Sequence, residues 1–127
     1  MTRSILIVED DDGLRDVLRL LLIEEGFDVE LATDGRDAMN VLEAAKAARK
    51  LPAMIILDLN MPVVNGWEVA KWLDADPVLG DIPVIVTSAT REQGERAKSL
   101  HADAFLVKPF TTDEILVVIG LFSLLQP

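Results

Sequence analysis

Short apolar runs alternate with longer stretches of helical periodicity from one end of the chain to the other. Ser4-Ile5-Leu6-Ile7-Val8, Ala53-Met54-Ile55-Ile56-Leu57 and Pro83-Val84-Ile85-Val86-Thr87 are nearly all apolar. Runs of this kind suit strands covered on both faces of a parallel sheet. Asp28-Val29-Glu30-Leu31-Ala32 alternates instead, which predicts a half-exposed strand nearer an edge. Asp103-Ala104-Phe105-Leu106-Val107 is the fifth candidate.

The intervening stretches read as helices. Leu14, Val17, Leu18, Leu21 and Leu22 recur at helical spacing, and Gly26 marks a stop. Ala38, Val41, Leu42 and Ala45 form a second stripe, and Gly66, Val69, Ala70 and Leu73 a third that ends before Pro77. The fourth helix, about 91–101, is poor: its apolar side holds little beyond Ala97 and Leu100. Gly94 inside it costs ~1 kcal/mol against Ala. The fifth opens with Thr111 and Glu114 at capping-box spacing. It then runs apolar on nearly all sides, with Ile115, Val118, Ile119 and Phe122 on one stripe and Leu116, Val117, Leu121, Leu124 and Leu125 over much of the rest.

Strict strand–helix alternation with short connections predicts an α/β fold, a parallel sheet with helices on both faces. Such sheets bind ligands at the carboxyl ends of their strands. Here the first strand ends in Glu9-Asp10-Asp11-Asp12, the third in Asp58, the fourth in Ser88 and the fifth in Lys108-Pro109. The second ends in Thr33-Asp34-Gly35, an ordinary turn.

Composition narrows the chemistry. The 127 residues fit one domain, and 50% are apolar, enough for a sizeable core. The absence of Cys excludes a disulfide scaffold, a thiolate metal site and a Cys nucleophile. A net charge of −10 argues against a nucleic-acid partner, which calls for clustered Lys and Arg. No signal peptide is visible, and the longest apolar stretch, 115–125, falls far short of the roughly 20 residues that span a bilayer. The expectation is a soluble, cytoplasmic protein with no membrane contact.

Carboxylates converging on one rim repel unless a cation intervenes. Oxygen ligands without His or Cys select Mg²⁺ or Mn²⁺ over zinc. A carboxylate beside such an ion, a lysine and a hydroxyl is placed to attack phosphorus, with the cations neutralising charge on the transferred group.

The motifs Ile5-Leu6-Ile7-Val8-Glu9-Asp10-Asp11, Leu57-Asp58-Leu59-Asn60-Met61-Pro62 with Asn65-Gly66, Pro83-Val84-Ile85-Val86-Thr87-Ser88-Ala89 and Ala104-Phe105-Leu106-Val107-Lys108-Pro109-Phe110 occur in this order. With them the sequence resembles a response-regulator receiver domain, the phosphoacceptor half of two-component signalling, over essentially all of residues 1–127. The resemblance implies a flavodoxin-like (βα)5 doubly wound sheet of order 2-1-3-4-5. It implies Asp58 as phosphoacceptor, with Glu9, Asp10, Asp58 and the backbone carbonyl of Asn60 around Mg²⁺ or Mn²⁺. Lys108 would pair with the phosphoryl oxygens across a cis Lys108–Pro109 peptide. Ser88 would be the switch hydroxyl, with Thr87 as its rival, since pleating sends adjacent side chains to opposite sides. Phe105 matches an aromatic switch position, with plain core packing as the other reading. Asn60 and Thr90 occupy positions that tune the phosphoryl lifetime. Asp11 or Asp12 caps the first helix. His101, in the weak fourth helix, reads as solvent-facing, and Trp67 and Trp72 as packing residues.

The implied partners are a histidine kinase or phosphotransfer protein as donor and a downstream protein target, met by the face of the fourth helix, fifth strand and fifth helix. The apolar fifth helix raises a homodimer. The chain would be no enzyme beyond its own phosphorylation and dephosphorylation. The alternative is a degenerate receiver that binds partners without phosphorylation. A haloacid-dehalogenase-type phosphatase would carry a second Asp where Asn60 stands, and a flavodoxin-type carrier would need a hydroxyl- and Gly-rich first loop.

Overall fold

The computed structural model describes residues 3–61, 63–100 and 102–124, and the backbone alone of 123 and 124. Five parallel strands, β1 (Ser4–Val8), β2 (Asp28–Ala32), β3 (Met54–Asp58), β4 (Val84–Ser88) and β5 (Ala104–Val107), lie in the order β2-β1-β3-β4-β5. The connections carry α1 (Asp12–Glu24), α2 (Gly35–Ala47), α3 (Gly66–Asp74), α4 (Arg91–Lys98) and α5 (Thr112–Leu124). The flavodoxin-like order and the right number of elements follow the sequence reading.

The apolar runs are continuous because both sheet faces are covered. Leu6, Val8, Ile55, Leu57, Val84 and Val86 point into one core with Leu42 of α2, Val69 and Leu73 of α3 and Ala97 of α4. Ile5, Ile7, Ile56 and Ile85 point the other way, onto Leu18 and Leu22 of α1 and Ile115 and Ile119 of α5. β2 alternates between exposed and half-buried positions, as its edge place demands. The strands expected at 53–57, 83–87 and 103–107 start one residue later. Asp58 belongs to the ladder, opposite Thr87, and Ser88 stands opposite Val107.

Helix termini follow local chemistry. Asp11 caps α1 by accepting from the Leu14 N–H at 2.9 Å. Asp34, in the turn read as ordinary, caps α2 through the Asp37 N–H at 2.8 Å. Thr111 and Glu114 form the expected reciprocal box, each bond at 3.1 Å. Gly26 ends α1 at a φ of 95°, in the left-handed region that glycine favours. α4 closes at Lys98, short of 101, so Leu100 lies beyond it and is exposed. Pro62, His101 and Leu125 fall outside the described residues. On α5, Val117 and Leu121 are 62% and 58% exposed. Among the described residues no helix is long and apolar enough to cross a membrane.

Candidate functional site

The chain leaves β1 for β2 on one side and then crosses back past β1 to β3 on the other, so a crevice opens where the order reverses. The end of β1 supplies its acids. Glu9 extends the strand, its N–H donating to the Ala32 carbonyl at 3.1 Å, and its side chain is buried. Asp10 is exposed. Arg15, one turn into α1, donates to the Glu9 carbonyl at 2.9 Å and pairs with Asp12, bracing this acidic loop. The sequence reading passed over Arg15.

Asp58, at the end of β3, is 1% exposed. Its Oδ1 accepts from the Asn60 N–H at 3.1 Å, and its Oδ2 lies 3.2 Å from Lys108 Nζ. The same ammonium sits 2.9 Å from Glu9 Oε1. Carboxylate oxygens of Glu9, Asp10 and Asp58 fall within 4.8 Å of one another. Lys108 is placed by the ladder, its N–H donating to the Ser88 carbonyl at 2.8 Å, and the peptide to Pro109 is cis.

Burial pushes Glu9 up from its ordinary 4.5 to about 7; the Lys108 hydrogen bond and the Asp11 N–H oppose this, and the Asp58 charge adds to it. Burial pulls Lys108 down, but the hydrogen bond it donates to Glu9 and the charges of Asp58 and Glu9 outweigh it, and the net direction is upward. Lys108 therefore stays an ammonium. A single ammonium among converging carboxylates leaves excess negative charge, the setting in which a hard divalent cation binds through oxygen.

The β4 side carries hydroxyls and a loop. Ser88 is fully buried, and its Oγ donates to the Thr90 carbonyl at 2.7 Å, closing the loop on itself. Thr87 is buried too, and its Oγ1 has no partner among the described residues. Thr90 caps α4, accepting from the Gln93 N–H at 3.2 Å. The Asn60 side chain crosses from the β3 loop to donate to Gln93 Oε1 at 3.2 Å. Leu14, Asn60, Ala89, Lys108, Pro109 and Phe110 line a cavity of about 460 Å³ over the rim.

Phe105 does not reach the rim. Its half-buried ring packs under α4, against Gly94, with the Arg91 guanidinium 5.8 Å from its centroid. Trp67 lies under Arg96 of α4, at 5.2 Å, and Trp67 and Trp72 both pack on the core. Gln93 was missed although a signal existed: Thr90 and Gln93 stand at capping-box spacing.

Known proteins place this geometry. Residues 5–120 match the family described as the response regulator receiver domain. The alkaline phosphatase synthesis transcriptional regulatory protein SphR of Synechococcus elongatus is 37% identical over 117 residues, which is 87% of this chain and 45% of that protein. The phosphate regulon transcriptional regulatory protein PhoB of Rhizobium meliloti is 36% identical over 91% of this chain and 50% of its own length. The chain thus spans about half the length of these relatives. The structure of the chemotaxis response regulator CheY4 of Vibrio cholerae superposes with a TM-score of 0.83 at 29% identity, covering 96% of this chain and 99% of that one. The match over most of the chain, on the same five-stranded order, makes this chain a receiver domain of the two-component response-regulator family.

Proposed function

We propose that Asp58 accepts a phosphoryl group from a phosphohistidine donor, on a histidine kinase or a phosphotransfer protein, in a step that requires Mg²⁺ or Mn²⁺. The observation that carries this reading is the buried Asp58 carboxylate, 3.2 Å from Lys108 and within 4.8 Å of the Glu9 and Asp10 oxygens. The all-oxygen donor set fits a hard cation, held by Asp10, Asp58, Glu9 and the Asn60 carbonyl. When bound, that cation supplies positive charge to the transferring oxygens.

The chain's own groups do the rest. An Asp58 oxygen attacks phosphorus, the donor P–N bond breaks, and the electron pair leaves on the imidazole nitrogen. Lys108, which touches Asp58 and Glu9 at once, pairs with a phosphoryl oxygen and holds the acceptor in line. The product adds about two negative charges and strong acceptor oxygens. Ser88 Oγ answers them by leaving the Thr90 carbonyl, and the loop into α4 follows. Asn60 and Thr90, at the mouth of the site, set how readily water reaches the acyl phosphate. Phe105 couples through its packing under α4. Output passes through the face of α4, β5 and α5 to a protein target, and Val117 and Leu121 give α5 the apolar surface for a second copy.

Incubation with acetyl phosphate and Mg²⁺, read by intact mass, tests the central step. The wild-type protein gains one phosphoryl group; Asp58→Asn, or chelation of the metal, leaves the mass unchanged. An unmodified wild type would replace this reading with a phosphorylation-independent interaction module. Continuous phosphate release from added phosphoesters would replace it with an enzyme. Sedimentation tests the dimer: polar replacements at Val117 and Leu121 abolish association, and a wild type that stays monomeric in both states removes the idea.

A further inference from the structure

Gln93 sits in the first turn of α4 and is half-buried, whereas the other polar residues of that helix are exposed. Capping-box spacing would bring its side chain back to the Thr90 N–H. It reaches further. Its Oε1 accepts from the Ala89 N–H at 3.2 Å and from Asn60 Nδ2 at 3.2 Å. One amide oxygen therefore joins the loop after β4 to the loop after β3.

Asn60, Ala89 and Lys108 line the same cavity. A phosphoryl group formed on Asp58 brings acceptor oxygens into that space and needs donors. Lys108 Nζ and the Asn60 N–H already point at Asp58. The next donors from the β4 side are the Ser88 hydroxyl and the Ala89 N–H. Both are occupied, the first by the Thr90 carbonyl and the second by Gln93.

We propose that the Gln93 side chain is a resident competitor for the donors a phosphoryl group on Asp58 must recruit, a positioning residue that slows phosphorylation and ties the reaction to release of α4. The inference rests on the acceptor role of Asp58 given above. Its physical content is an exchange: a neutral amide acceptor yields the Ala89 N–H to a charged one. Hydrogen bonds to charged acceptors are about twice as strong as neutral ones, so the exchange runs forward once phosphate is in place. Before that point, each bond to Gln93 stabilises the resting loop.

The test uses acetyl phosphate and Mg²⁺ with the whole chain. The acetyl phosphate P–O bond breaks, acetate leaves with the electron pair, and a new P–O bond forms at Asp58. Gln93→Ala is expected to raise the initial rate about three- to tenfold, the range set by losing one or two neutral hydrogen bonds. Gln93→Glu keeps an acceptor oxygen at the same reach and is expected to hold the rate at or below wild type. In the unphosphorylated, metal-free proteins, the Ala89 amide proton exchanges faster in Gln93→Ala and stays protected in Gln93→Glu. A Gln93→Ala protein phosphorylated at the wild-type rate overturns the proposal, and so does a Gln93→Glu protein that matches Gln93→Ala. A wild type that takes no phosphate at all overturns the acceptor reading itself, a separate result seen before any variant is compared.

Discussion

The two helices that flank the exit of β3 are attached by different physics. α3 buries Val69, Ala70 and Leu73 in the core and starts with a reciprocal capping box between Asn65 and Glu68. α4 buries only Gly94 and Ala97, and its other attachments are polar or ring contacts: Gln93 to Asn60 and Ala89, Arg91 over Phe105, Arg96 over Trp67. Apolar burial is non-directional and lost only by separation, whereas hydrogen bonds and cation–ring contacts can exchange partners at small net cost. Of the two helices, α4 is the one held by exchangeable contacts. Low local burial is what marks a segment able to shift without global unfolding.

Each helix contains a glycine pressed against a neighbour, and substituting both is the strongest way to break the contrast. A Cβ on Gly66 would stand 2.3 Å from the Asp58 carbonyl oxygen and 2.6 Å from the Leu59 Cα, both backbone atoms that cannot yield. Gly66→Ala is expected to cost about 3 kcal/mol or more in chemical denaturation and to disturb the loop after Asp58. A Cβ on Gly94 would meet the Phe105 ring at 2.2 Å, a side chain that has some room to turn. Gly94→Ala is expected to destabilise by about 1–2 kcal/mol, against the ~1 kcal/mol gain that helix propensity alone would give. Equal costs at the two sites would erase the distinction drawn between the helices.

The rigid side of the site has a titration of its own. Glu9 titrates at about 7 in the fold against an ordinary 4.5, so the folded state holds the proton more tightly than the unfolded chain. Its contribution to metal-free stability is thus fully present below about 4.5 and lost as pH rises through about 7. Glu9→Gln should remove that slope, flattening the stability profile across the window. A variant profile that parallels wild type would show that Glu9 is not strained by its burial.

The smallest effect belongs to Arg96. Arg96→Ala should cost only about 0.5 kcal/mol, as exposed cation–ring contacts do, while changing Trp67 emission. A cost of several kcal/mol would mean that α4 is anchored as firmly as α3.

Hydrophobic periodicity placed the five strands and every helix but α4, whose apolar side is too thin to show a stripe, because the period of a strand and that of a helix differ and burial on both faces leaves continuous runs. The acids, the lysine and the hydroxyls were also readable, as each is the first polar group after an apolar strand. What stayed hidden depends on atoms that are distant in sequence. Gly94 reads as a flaw in a weak helix until Phe105, from the next strand, is found where its side chain would be. Gln93 went unread because its partners, Ala89 and Asn60, belong to the loops after two different strands. Residue types and their spacing determine which chemistry the chain carries and on which rim it gathers. Only close packing, where a single Cβ or amide oxygen selects among neighbours, decides which contacts hold the resting state and which are free to exchange.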